Sequence, residues 1–117
     1  MFEVKVIKES ISLAELTKIA ENGFGEMAKA VVDVEQGIMA IGSELHVDAE
    51  SLLMEQHGST RDHTWGINLY PGKTGEDFLE FDSMVNIKPA FGNRTRSVSS
   101  VEIQNKIKEI VSKLIIK

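Results

Sequence analysis

The chain has 117 residues, a length that suits one domain. With 42% hydrophobic and 26% charged residues it lacks the composition of a disordered chain. A formal net charge of −5 argues against a nucleic-acid module, and the absence of cysteine excludes disulfide frameworks, thiolate catalysis and zinc ribbons.

Phe2 to Ile7 alternates apolar and polar residues, which predicts a short strand. Ser12 followed by Glu15 has the spacing of a capping box, and Leu13, Leu16, Ile19 and Ala20 form an apolar stripe. A helix is predicted over 13–22, stopped by Gly23. Ala28 to Ile41 reads as a hairpin turning at Glu35-Gln36-Gly37. The return strand is predicted to run on to Val47, bulged at Gly42-Ser43. Asp48 is the expected cap of a helix over 49–56.

Thr64 to Tyr70 alternates again, with Trp65, Ile67 and Leu69 on the apolar side. The lone Trp65 therefore reads as a core anchor. Phe78 to Lys88 is the most regular alternation in the chain and predicts a strand ended by Pro89. Ser99 with Glu102 repeats the capping-box spacing ahead of a helix predicted over 101–116. The order β-α-β-β-α-β-β-α, with one-sided strands, predicts an α+β domain over residues 1–117: about five antiparallel strands, with the helices on one face.

Two places carry candidate chemistry. Asn93, Arg94, Thr95, Arg96 and Ser97 precede the last helix, where free amides and paired guanidinium groups suit a phosphate or carboxylate. The polar sides of the strands would bring His46, Glu44, Asn68, Glu80 and Asp82 together, with Asp33, Glu35, Tyr70, Asn86 and Lys88 beside them. His57 and His63 flank a polar loop and read as surface residues. Gly66 to Thr74 imitates a phosphate-binding loop, but it has one residue too many between its glycines and no helix after it.

No apolar run reaches the length of a membrane span, and the start of the chain lacks the pattern of a signal peptide, so a cytoplasmic protein is expected. No metal or cofactor is expected. The function expected first is a binding or protein-interaction module, homodimeric through its sheet, taking a small anionic ligand at the arginine loop or a protein partner. The alternative is a small hydrolase or metal-dependent enzyme using His46, Asp82, Glu44 and Arg94.

The segments MAKAVVDVEQGIMAIGSELHVDAESLLMEQHGS, WGINLYP and EFDSMVNIKPAFGNRTRSV, with the helix that follows them, resemble a family of small prokaryotic proteins known only as a domain of unknown function. The resemblance runs from about Ile11 to Ile115. It implies a prokaryotic cytosolic protein and transfers no catalytic residue.

Overall fold

The alternating segments are realised as a five-stranded antiparallel sheet in the computed structural model, which describes residues 2–117. Its strands are β1 (Lys5–Ile7), β3 (Ala28–Asp33), β4 (Ile38–Ile41), β5 (Thr64–Leu69) and β6 (Leu79–Glu80), in the spatial order β1-β4-β3-β5-β6. Two short strands, β2 (Ile11–Ser12) and β7 (Ile115–Ile116), pair in parallel and tie the start of one helix to the end of another. The helices are α1 (Leu13–Asn22), α2 (His46–His57) and α3 (Val101–Leu114). The predicted α+β class and antiparallel sheet stand.

Alternation assigns each strand residue to a face. Ala30 and Val32 of β3, Met39 and Ile41 of β4, and Trp65, Ile67 and Leu69 of β5 form the main core with Leu16 and Ala20 of α1 and Ile107, Val111 and Leu114 of α3. Each large aliphatic chain sealed there contributes about 2 kcal/mol. The opposite face carries Val31, Ile38 and Ala40, and a smaller cluster forms where Ala49 and Leu53 of α2 pack on them. The helices are therefore not all on one face: α1 and α3 cover one side and α2 covers the other. Val31, Ile38 and Ala40 explain this, because β3 and β4 are apolar on both faces.

Helix α1 has the predicted boundaries, and its capping box forms: the Glu15 amide donates to Ser12 Oγ at 3.1 Å. The last helix ends earlier than predicted. Ile115 and Ile116 leave it to pair with Ile11 and Ser12, and its cap is Ser100 rather than Ser99. The Ser99 amide donates instead to Asn93 Oδ1.

The return strand stops at Ile41 rather than reaching Val47. Gly42 takes a φ of +103°, and a Cβ there would stand 2.3 Å from the Glu3 carbonyl oxygen. Only glycine permits both the turn and that approach. The chain leaves the sheet, and α2 begins at His46 with Leu45 as its cap, a residue whose side chain has nothing to offer the free amides. Asp48 lies inside the first turn, where its charge suits the helix dipole, and is not the cap.

The largest departure concerns Phe78 to Lys88. Only Leu79 and Glu80 pair as a strand. Leu79 and Phe81 pack against the main core, whereas Val85 lies against Gly66 on the other face. The chain wraps round the β5 edge, so its alternate apolar residues serve different faces of the sheet.

Candidate functional site

The wrap leaves the outer edge of β5 without a backbone partner beyond Asn68, which faces Glu80. Side chains replace it. The Gly66 amide donates to Asn86 Oδ1 at 2.8 Å, and Asn86 Nδ2 donates to the Gly66 carbonyl at 2.9 Å. One carboxamide thus supplies the donor and the acceptor of a missing strand. One step along, the buried Lys88 ammonium donates to the carbonyls of Thr64 and Arg61 and sits 4.1 Å from the centre of the Trp65 ring. Burial pushes its pKa down to about 8.

The same device fixes the loop that follows. Asn93, 3% exposed, donates through Nδ2 to the carbonyls of Asn86, Thr95 and Ser97. Asn86 Nδ2 and the Ser83 amide both donate to the Arg96 carbonyl, at 2.9 and 3.0 Å. The loop is therefore held by its backbone while the side chain of Arg96 stays exposed. Its Nε donates to Asp82 Oδ1 at 2.7 Å, and both groups remain substantially exposed. An exposed pair of this kind is worth up to about 1 kcal/mol.

Between this loop and the start of α2 lies a cleft of about 500 Å³. Its polar lining comes from His46, Asn68, Tyr70, Glu80, Asp82 and Arg96, with Lys29 of β3 beside them. Asn68 and Lys29 face each other across the β3–β5 ladder. Asn68 Nδ2 donates to Glu80 Oε1 at 2.8 Å, and the Tyr70 hydroxyl donates to the same oxygen at 3.0 Å. Burial and the Glu80 carboxylate raise the Tyr70 phenol above its ordinary value. Asn68 is 5% exposed, and its Oδ1 has no hydrogen-bond partner among the described residues.

The His46 ring is buried, with Nε2 at 2.8 Å from the Ile67 carbonyl. A carbonyl only accepts, so Nε2 carries the proton and Nδ1 keeps its lone pair in the neutral ring. Burial lowers the imidazole pKa, the Ile67 carbonyl opposes this, and the charge of Lys29 lowers it further. Asn68 and Asp82 raise it, but burial prevails. The ring is neutral at pH 7.

Four of the five predicted face residues, His46, Asn68, Glu80 and Asp82, therefore share one concavity, joined by Arg96 from the predicted loop. Glu44 is exposed and does not line it. Arg94, Thr95 and Ser97 are exposed on the loop, with Thr95 Oγ1 accepting from the Ser97 amide. Asn93 is an internal brace. His46 opens a helix rather than lying in a strand. Among the described residues no cluster of three or more His, Cys, Asp or Glu residues is arranged to hold a metal. Lys29, Leu45, Val47 and Met84 were missed. Leu45, Val47 and Met84 are exposed apolar residues at 52, 48 and 64% and line the same cleft. Only their non-neighbourly convergence marks them, and that is invisible in one dimension.

No described helix is long and apolar enough to cross a membrane. No curated protein and no solved structure matches the chain. One family does, over residues 5–114, which is nearly the whole length. The chain belongs to the family described as Protein of unknown function (DUF5674).

Proposed function

We propose that the chain is a small binding module of the prokaryotic cytoplasm whose ligand, a small molecule with an anionic group, sits in the cleft between α2 and the 81–97 loop. The observation that carries this is the convergence of polar side chains from β3, the start of α2, β5, the β6 edge and the distal loop on one concave space. Arg96 meets Asp82 through Nε, which leaves the terminal nitrogens of the guanidinium available as donors. Lys29 brings a second cation to the cleft lining. Leu45, Val47 and Met84 supply apolar cover at the rim.

Binding is favoured over hydrolysis by what His46 touches. Its Nε2 meets the Ile67 carbonyl, and among the described residues no carboxylate hydrogen-bonds the ring to orient it as a base. Ser83, the hydroxyl nearby in the lining, is buried and accepts from the Val85 amide.

Calorimetric titration with inorganic phosphate, nucleotides, sugar phosphates and carboxylic acids tests the reading. A binder should lose about tenfold in affinity in Arg96→Ala and in Lys29→Ala, and keep it in Arg94→Ala, outside the cleft. Binders indifferent to Arg96 and Lys29, or lost with Arg94 alone, would overturn it. Self-association of the sheet is proposed along the β1 edge, since helices and loop cover both faces. Light scattering that finds a monomer at high micromolar concentration removes the dimer.

A further inference from the structure

A second cavity, of about 760 Å³, lies on the opposite side of the sheet from the cleft. It opens where α3 crosses the main-core face without covering the β6 edge. Leu79 pairs with Leu69 and so points to that face, and Phe81 follows it. With Phe78 on the same side, and Val111 and Ile115 at the end of α3, these chains make an apolar wall. The volume lies within the roughly 300–1,000 Å³ of small-molecule sites. Phe78, Leu79 and Phe81 are half-buried, so they line the space and do not project as the anchors of a protein interface.

The charged side chains at this cavity are those of Lys108, Lys117 and Glu76, all exposed. None of the three makes an ion pair among the described residues. The Lys117 ammonium stands 5.5 Å from the centre of the Phe78 ring, which puts a cation directly beside apolar wall. The rim thus carries two ammonium groups, of Lys108 and Lys117, that no carboxylate pairs among the described residues. An apolar space with such a rim fits a molecule with a hydrocarbon or aromatic body and a single negative head. We infer that the cavity between α3 and the β6 edge binds an apolar monocarboxylate, its body against Phe78, Leu79, Phe81 and Val111 and its carboxylate on Lys108 and Lys117.

This site is independent of the polar cleft, and its test leaves Arg96 and Lys29 untouched. Octanoate, n-octanol and octylammonium share one apolar body and differ in the head. Titration calorimetry of the full chain should give saturable one-to-one binding of octanoate, with n-octanol weaker by about fivefold and octylammonium weaker still. Ser112→Trp, at an exposed α3 position on the lining, should block all three without lowering the unfolding temperature. Lys108→Glu with Lys117→Glu should keep n-octanol binding and abolish the preference for octanoate. Absence of saturable binding, equal affinity for octanoate and octylammonium, or unchanged binding in Ser112→Trp would overturn the assignment. So would a dimer in light scattering that Ser112→Trp dissociates, since the groove would then be covered by a second copy of the chain.

Discussion

Gly66 sits mid-strand in β5, opposite Val31, and its place is set by what crosses above it. A Cβ at this position would meet Ser83 Cβ at 2.5 Å, Ser83 Oγ at 2.6 Å and Val85 Cγ2 at 2.9 Å. Restoring ordinary contact requires the 83–86 segment to lift by about 1 Å. Lifting it strains the two Asn86 bonds to Gly66 and the Ser83 bond to the Arg96 carbonyl. Overpacking costs about 1–3 kcal/mol, and weakening two or three buried hydrogen bonds adds about 1–2 kcal/mol. The stiffer unfolded chain returns about 0.5–1 kcal/mol. Gly66→Ala should therefore lose about 2–4 kcal/mol, a fall in Tm of roughly 10 °C for a domain of this size. Thermal unfolding followed by circular dichroism reads it directly. Gly66→Ala combined with Ser83→Gly removes the two nearest atoms and should recover roughly half of the loss, with Val85 still in contact. A Tm for Gly66→Ala within about 2 °C of the parent would refute the crossing that builds the cleft, and so would a double variant no better than the single.

Three further outcomes follow from the same architecture. Asn86→Ala leaves the Gly66 amide and carbonyl without partners in a buried place, so it should cost about 2–4 kcal/mol in urea unfolding and accelerate hydrogen exchange at the Gly66 amide; an unchanged exchange rate would mean that the carboxamide is not the edge partner. Burial raises the Asp33 carboxyl, but hydrogen bonds from Ser59, Gln36 and Glu35 outweigh it and hold the pKa below its ordinary value. Its stabilisation is thus complete above the unfolded value near 3.8 and is lost as pH falls through the folded one, so the stability advantage of the parent over Asp33→Asn should shrink below pH 4 in acid titrations and would contradict the network if it did not. Lys88 titrates at about 8 when folded against 10.5 when free, so between those values the unfolded chain binds more protons and the stability of the parent relative to Lys88→Met should rise with pH; a flat difference would place the ammonium in water.

Local order was legible in the chain because neighbouring residues cause it. The capping box of α1 needs only Ser12 and Glu15, and the face of β5 needs only the alternation of Trp65, Ile67 and Leu69. The cleft was partly legible for the same reason: the alternation of β5 and β6 sets Asn68 beside Glu80, while His46 and Asp82 reach the same space from outside the strands.

The rest depended on contacts between residues far apart in sequence. Alternation in Phe78 to Lys88 describes a chain with two sides, and it cannot say whether those sides belong to one sheet face or to two. The decision lies with Gly66, whose missing side chain admits Ser83, and with Asn86 and Lys88, whose side chains take over the β5 edge. Helix α2 crosses to the far side because Gly42 turns the chain out of the sheet beside Glu3, a residue almost forty positions earlier. Sequence by itself determined which residues are apolar at what period, and with it α1, the course of β3 and β5, and the main core. Tertiary packing alone decided which edge stayed open, because a backbone hydrogen bond left unmade in the interior must be satisfied by whatever side chain the fold brings to it.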